Sequence, residues 1–509
     1  MGPGGGSQEI IDGLTEAVGK GNVLLDPSDL DAFACGQVGM NGAERLKPDA
    51  IVRPGDPDEV KALVDLANRL RLNLVPVSSG PPHTRGGTAI LAESTPGVVV
   101  DMSRMDRIVR IDRRNKVALV EPGVTFGQLH AAAREAGLKV LSPLLPRATK
   151  SVVASSLDRE PIVIPKYHWD MTDPLLCTEV EFGTGDFFRT GGASGPGTLE
   201  QQWAVGAAQK NPMGPAQTDL VRVIQGAQGT MGIVTWASIK LEVKPRIHRL
   251  YFVPAGDFAT LAELAYRLIR RKLADEFMIF NDFELSCLAC LASGEGCEPV
   301  SAEDLAPYTA VLGVSGYELQ PEKRVAYQEH DIREHAAELG LKLTDAIAGA
   351  SADSLDKLLE DASPEPYCKT RPKGGYRDIF FLTTLDGVPP MLELIDGMIA
   401  QAGYQPEEKG VYVQPIQHGR LCQVELTLFY DPRDEAETAR MSGLVSDACA
   451  ALAEAGAFFS RPYEPWTRVA YERCGDTVAA LRKVKRIFDP NGVMNRGHLC
   501  FQGDENGAH

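Results

Sequence analysis

Apolar residues change their period several times along this chain, and each change marks an element. From Asp49 short apolar runs alternate with amphipathic stretches. AIVRP reads as a strand. DPDEVKALVDLANRL reads as a helix, with acidic residues in its first turn and apolar positions three and four apart. LNLVPV, GVVVDM and VALVEPG read as further strands, and TFGQLHAAAREAGLKV as a second amphipathic helix. LCTEVEFGTGDFFRTG reads as two strands around a glycine turn. DLVRVIQGAQGTMGIVTWASIKLEVKP gives a helix, a Gly-rich turn and a strand. Residues 8–46 read as an N-terminal helix and connector.

The texture changes around Pro245. RLYFVPAGDFATLAELAYRLIRRKLA is strand then helix, TAVLGVSGYE a strand, and PEKRVAYQEHDIREHAAELG a charged helix. GVYVQPIQHGRLCQVELTLFYD alternates along two strands around His418-Gly419-Arg420, the pattern of an antiparallel hairpin. Gln414, Gln423 and Glu425 fall on alternate positions, so they share one face, toward a site or toward solvent. The middle of the chain is expected to be a sheet covered by helices. TVAALRKVKRIF closes as a basic helix before Asp489-Pro490-Asn491-Gly492 and a tail.

Composition narrows the classes. A chain of 509 residues predicts more than one domain. A net charge of −17 argues against nucleic acid, whose phosphates call for a basic face. No uninterrupted apolar run reaches the length of about 18 residues that a membrane helix needs, so no membrane span is expected. MGPGGGSQEI has neither the charged start nor the apolar core of a secretory signal, so a cytoplasmic location with reduced thiols is expected for the ten cysteines. Cys287-x-x-Cys290, with Cys297 beyond it, lies in FELSCLACLA, which reads as an apolar helix with small core thiols rather than a metal loop. The nine histidines form no metal-ligand constellation, and no metal is expected.

Three Gly-rich turns follow strands in the first half: Ser78-Ser79-Gly80 with Gly86-Gly87, Glu121-Pro122-Gly123, and Gly226 to Gly232. Such turns bring backbone N–H groups close to an anion. Neither a strand–GxGxxG–helix unit nor a GxxxxGK[ST] loop is present. Taken in order, KPDAIVRPGDPDEVKALVDLAN, PVSSGPPHTRGG, VVDMSRMDRIVRID, VEPGVTFGQL, DLVRVIQGAQGTMGIVT and FDPNGVMNRGHLC resemble the FAD-linked oxidases of the vanillyl-alcohol oxidase and p-cresol methylhydroxylase superfamily, over roughly residues 45–502.

That resemblance implies an α+β fold: a two-subdomain FAD-binding domain over 45–245 after an N-terminal extension (1–44), a substrate or cap domain with an antiparallel sheet over 246–460, and a segment 461–509 returning to the FAD domain. It implies that Ser78, Ser79, Gly80, Gly86 and Gly87 form the pyrophosphate loop, that Pro122, Gly123 and Val124 touch adenine and ribose, and that Ser151 to Ser156, with Ser151 and Ser155, lie beneath the flavin ring. Gly229, Gly232 and Ile233 would fix the cofactor, and Asn495, Arg496 and His498 would reach back to it. A homodimer is also implied.

The sequence departs from the family where its members tether flavin or hold phenolates. Asp378 stands at the usual tethering position, so noncovalent FAD is expected, with His83 as a second tether candidate. Of the phenolate-binding set, two tyrosine positions carry Arg85 and Ser460, while the arginine is kept as Arg461. The position of an aspartate near the flavin falls around Pro146. With Arg147 and Lys150 nearby, the resemblance implies a cationic pocket for a carboxylate or other anion. Tyr167 and His168, where the family has an active-site run, and His418 and Arg85 are the further catalytic candidates. The leading reading is an FAD-dependent oxidoreductase that takes a hydride from a small aromatic or anionic substrate. A 2-hydroxyacid dehydrogenase is the alternative. An electron-transfer flavin subunit with a redox partner protein is the alternative of another class.

Overall fold

The computed structural model describes residues 5–33, 47–81, 83, 90, 95–164, 173–214, 219–294 and 301–501. Its fold is α+β, built on three main sheets. The first has four strands in the order Val23–Leu24, Ala50–Val52, Gly97–Asp101, Asn73–Val77. The last three are parallel and the first antiparallel. Their near-continuous burial is what a sheet covered on both faces demands. The crossover helix Pro57–Leu70 starts where Asp56 caps Glu59 and ends where Arg71 turns left-handed. Its Val60, Leu63 and Val64 pack with Ile10, Leu14 and Val18 of the N-terminal helix Gly5–Val18.

The second sheet is antiparallel. Its path runs Ile108–Asp112, Val117–Val120, Gly232–Val243, Leu175–Phe182, Phe187–Arg189, and Leu138–Val140 pairs with the far end of the long strand. Here the expectation for TFGQLHAAAREAGLKV is corrected. The helix is only Phe126–Glu135, opened by a reciprocal Thr125–Gln128 capping box. Gly137 then turns left-handed (φ +70), and LKV becomes a strand that buries Leu138 and Val140.

The third sheet has six antiparallel strands in the order Ile247–Ala255, Tyr308–Gly316, Glu276–Asn281, Gly410–Ile416, Leu421–Tyr430, Gly375–Thr383. One face packs under helices Phe258–Arg270, Pro321–Glu338, Val388–Gln401 and Glu435–Glu454. Strand alternation decides what the other face offers. Cys422, Val424, Leu426, Val411 and Val413 point into the helical layer, so Gln423, Glu425, Tyr412 and Gln414 point the other way. On that other face Phe252, Met278, Phe280 and Tyr412 pack with Leu145, which follows the second sheet's strand Leu138–Val140, and with helices Asp282–Ser293 and Ala352–Leu359. The chain ends by returning to the first sheet. After helix Gly475–Phe488, the Leu74 N–H donates to the Val493 carbonyl (2.8 Å), and the Asn495 N–H donates to the Leu74 carbonyl (2.9 Å). No helix among the described residues is long and apolar enough to cross a membrane.

Candidate functional site

Two cavities meet between the lobes. The first is a slot of about 200 Å³ whose walls are Pro76 to Ser79, Met102, Pro122, Val153, Ala154, Leu157 and the turn Gly226 to Val234. Ser151 ties its loops together. It caps helix Val152–Leu157 by accepting from the Ala154 N–H (3.0 Å), donates its hydroxyl to the Pro122 carbonyl (2.6 Å), and donates its N–H to Ser79 Oγ (3.0 Å). Gly226, Gln228 and Gly229 are all left-handed, at φ +71, +49 and +73. A side chain at Gly229 would strike Pro76, and one at Gly232 would strike the Glu181 carbonyl. Asn495 donates its side-chain amide to the Gln228 carbonyl (2.6 Å), so the tail braces this turn.

The sequence-predicted residues divide around this slot. Ser78, Ser79, Pro122, Gly229, Gly232 and Ile233 line it, and Gly80 lines the adjoining cleft. Gly123 and Val124 pack behind it: the Gly123 N–H donates to the Met105 carbonyl (2.7 Å), and the Val124 carbonyl accepts from Val152 (3.0 Å). Ser155 is buried and donates to Glu160 (2.6 Å), and His498 is buried in the tail. Arg85, Gly86, Gly87, Tyr167 and His168 lie outside the described residues. The residues present fit FAD: an apolar trough walled by glycine turns, with Ser78 and Ser79 at its edge.

The second cavity is a cleft of about 220 Å³ beneath the cap sheet. It shares Ser79, His83, Ala154, Asp158 and Tyr463 with the slot, so the two spaces adjoin. Arg461 is buried at this junction. Its guanidinium lies 3.3 Å from Asp158, 3.6 Å from Glu160 and 3.3 Å from Gln423 Oε1, and sits 4.0 Å above the Phe380 ring. The Tyr463 hydroxyl donates to Asp158 (2.6 Å). His83 lines both cavities with its ring 5.0 Å from Phe33. Burial, with Arg147 beside it, pushes its pKa down to about 4 and keeps the imidazole neutral.

Toward the far end, Lys369 is ion-paired with Asp378 (2.8 Å) and Glu425, and Thr427 donates to Asp378 (2.9 Å). Burial opposes the Lys369 charge, but Asp378 and Glu425 outweigh it and hold the ammonium protonated. Glu284, from the first turn of helix Asp282–Ser293, also lines the cleft. Burial pushes it up to about 7, Lys369 working against the shift and Glu425 and Asp378 adding to it.

Among the described residues the lining holds as many carboxylates as cations and one more; Arg85, which the expectation of a cationic pocket included, lies outside them. Lys150 pairs with Glu160 (2.5 Å) and Arg147 donates to the Gly80 carbonyl (2.5 Å). Asp158, Glu160, Glu284, Asp378 and Glu425 face Arg147, Lys150, Lys369 and Arg461 across the same lining. His418 stands elsewhere, at the left-handed tip of the hairpin (φ +59), whose Gly419 faces Ile269. Asp158, Glu160, Glu284, Lys369 and Tyr463 were missed in the sequence. The legible signals were a phenol two places after Arg461 in FFSRPYEPW and a lone carboxylate inside FELSCLACLA.

The slot and the antiparallel cap define a two-lobed fold, and comparison with known proteins gives it relatives among FAD-linked oxidoreductases. The FAD binding domain family matches residues 48–152, and the C-terminal domain of FAD linked oxidases matches residues 464–499. D-2-hydroxyglutarate dehydrogenase of Stutzerimonas stutzeri is 26% identical over 504 residues, 96% of this chain and 98% of that protein. The structure of p-cresol methylhydroxylase with substrate bound superposes with a TM-score of 0.82 at 18% identity, over 99% of both chains. The 4-ethylphenol oxidase of Gulosibacter chungangensis in its isoeugenol complex does so with a TM-score of 0.81 at 18% identity, over 98% of both. The chain carries an FAD binding domain and the C-terminal domain of FAD linked oxidases, its fold is that of p-cresol methylhydroxylase, and its cofactor is FAD.

Proposed function

We propose that this oxidoreductase oxidises a small hydroxylated aromatic substrate held in the cleft, with noncovalent FAD in the slot. In this reading residues 45–245 and 461–509 form the flavin unit and 246–460 the substrate unit. The observation that carries it is that the two cavities adjoin at Ser79, His83, Ala154, Asp158 and Tyr463. A molecule in the cleft therefore lies against whatever fills the slot. Bound FAD supplies a hydride acceptor. The chain supplies the rest. Tyr367, Tyr376 and Tyr412, with Leu144, Leu145 and Leu288, give flat, largely apolar walls that orient a ring and exclude water. Arg461, fixed by Phe380 and its carboxylate neighbours, and the Tyr463 hydroxyl bind the polar end. Asp158 at the junction accepts a hydrogen bond from it.

The second reading is oxidation of a 2-hydroxyacid. The likeness to D-2-hydroxyglutarate dehydrogenase over nearly its whole length favours it, with Arg461 taking the carboxylate. Anaerobic bleaching of the flavin spectrum decides between them. 4-Alkylphenols and aryl alcohols are expected to bleach it and D-2-hydroxyacids to leave it unchanged. The converse pattern establishes the second reading, and no bleaching with either panel overturns both. Arg461→Ala is expected to raise KM for the bleaching substrate about 10-fold or more, the loss of one charge-assisted contact. Acid precipitation should leave the flavin in the supernatant.

A further inference from the structure

We infer that Tyr463 and Asp158 form the proton relay of the junction: Tyr463 takes the hydroxyl proton of the substrate as the carbon bearing that hydroxyl is oxidised, and passes its own proton to Asp158. The inference rests on the reading above that a hydroxylated molecule occupies the cleft. It applies to any substrate with C–H and O–H on one carbon, aryl alcohol or 2-hydroxyacid. In the step, the substrate C–H bond breaks with its electron pair to the flavin oxidant. The substrate O–H bond breaks with its proton to the Tyr463 oxygen, the Tyr463 O–H bond breaks with its proton to Asp158 Oδ1, and a C=O bond forms. Two electrons leave the alcohol for the flavin, a carbonyl results, and the proton ends on the Asp158 carboxyl.

Position leads to this pair. A carbon that yields a hydride lies against the cofactor, and its hydroxyl is one bond away. The group that takes the hydroxyl proton therefore stands where cleft and slot adjoin. Among the described residues Ser79, His83, Ala154, Asp158 and Tyr463 line both cavities. The Tyr463 hydroxyl donates to Asp158 Oδ1 (2.6 Å), and a phenol oxygen that donates can accept in turn. Ala154 carries no polar group. Ser79 is no base, and its hydroxyl oxygen accepts from the Ser151 N–H (3.0 Å). A proton on His83 would set an imidazolium beside the Arg147 guanidinium in a buried place.

The chain builds the relay from two sides. Helix Val152–Leu157 ends at Asp158, whose N–H donates to the Ala154 carbonyl (2.9 Å). Arg159 then turns left-handed (φ +55), which residues other than glycine seldom do, and its guanidinium donates to the Ser460 carbonyl (3.4 Å). This turn brings both Asp158 and Glu160 to Arg461, at 3.3 and 3.6 Å. The second carboxylate matters to the chemistry. When the relayed proton neutralises Asp158, Arg461 keeps Glu160 as a counter-ion, and no buried cation is stranded. On the other side, the Tyr463 ring meets Phe380 edge-on (6.1 Å, 73°), and its carbonyl accepts from the Thr467 N–H (2.9 Å). Gln228 donates to the Pro462 carbonyl (2.6 Å) and the Trp466 indole to that of Arg461 (2.9 Å). The phenol is thus fixed before substrate arrives.

The test uses the FAD-loaded protein, Tyr463→Phe, Asp158→Asn, their double variant, and Asp158→Glu as the conservative control. Anaerobic stopped-flow bleaching gives a limiting rate of flavin reduction and a substrate dissociation constant. Tyr463→Phe, which keeps the ring and its packing, and Asp158→Asn are each expected to slow the limiting rate by about 100-fold or more. The dissociation constant should rise no more than about 10-fold, the loss of one hydrogen bond. The double variant should be about as slow as either single one, because both act in one relay, and D158E should recover part of the rate. In the parent protein the limiting rate should fall in heavy water, since the hydroxyl proton moves as the carbon is oxidised. That measurement needs no variant to fold. A parent rate in either single variant, losses that multiply in the double variant, or a parent rate indifferent to heavy water overturns the inference and leaves the substrate reading standing. A flavin that no hydroxylated compound bleaches overturns that reading, and the relay falls with it.

Discussion

A side chain has no room at Gly123. A Cβ there would lie 2.6 Å from the Met102 carbonyl oxygen and 2.8 Å from that of Met105, both backbone atoms that cannot swing aside. The resemblance implied contact with adenine and ribose at this position, and the structure gives the glycine a packing role behind the slot as well. Gly123→Ala is expected to cost about 1–3 kcal/mol, the usual penalty of overpacking, and to lower the flavin-to-protein absorbance ratio through the displaced Pro122. A thermal midpoint and a flavin ratio equal to those of the parent protein would refute this. Arg461 shows the opposite side of reading single residues. Its conservation of the family's residue type marked it in the sequence, but its partners Asp158 and Glu160 lie about 300 positions earlier, and nothing in local pattern joins them. Tertiary closure also created the Lys369 cluster, whose members come from a short turn and two strands.

Elements were legible where local chemistry punctuates them. Helix Pro57–Leu70 carries its cap, its proline start and its apolar stripe in the sequence, and helix Phe258–Arg270 carries its cap Asp257 and its apolar stripe. Asp257→Ala removes acceptors for the Thr260 N–H and hydroxyl. It should cost about 1 kcal/mol in chemical unfolding with no change in flavin binding. An equal loss of flavin would show that the cap helix is coupled to the slot. The strand Glu276–Asn281 was not legible. It is central in its sheet and buried along its whole length, so alternation, the signal for a strand, is absent. The misread end of TFGQLHAAAREAGLKV has the same origin, for apolar spacing continues across Gly137 while the backbone does not. The hairpin, buried on one side by helices and facing a cleft on the other, kept its alternation and was readable as two strands about a turn at His418 to Arg420, one residue short of the turn observed.

Across the whole molecule, the two lobes are fastened by a buried ionic chain. Lys139 of the second sheet lies 2.6 Å from Glu276 of the cap sheet, and His248 lies 3.4 Å from Glu276 and 2.7 Å from Asp356. Burial alone would lower the His248 pKa. Hydrogen bonding to Asp356 and Glu276 outweighs it and raises the value to about 10. A group whose folded pKa is raised stabilises the fold below its unfolded value, and that contribution is lost as pH climbs through the folded value. The thermal midpoint is therefore expected to fall by several degrees between pH 6.5 and 10 in the parent protein, and to fall less in His248→Gln. Equal slopes would remove His248 as the cause. The seam is reinforced by Gln414, which donates to the Ile162 carbonyl, and by Gln228, which donates to that of Pro462 (2.6 Å).

The return of the tail to the first sheet has a consequence for the order of manufacture. The Arg496 N–H meets the Asn73 side chain across 423 positions of sequence, and Met494 bridges Leu74 as an added rung of the sheet. A ribosome must have made the chain through Asn495 before the wall of the slot at Gln228 receives its brace. Contacts of such long sequence separation close late, so this wall is among the last parts of the fold to set.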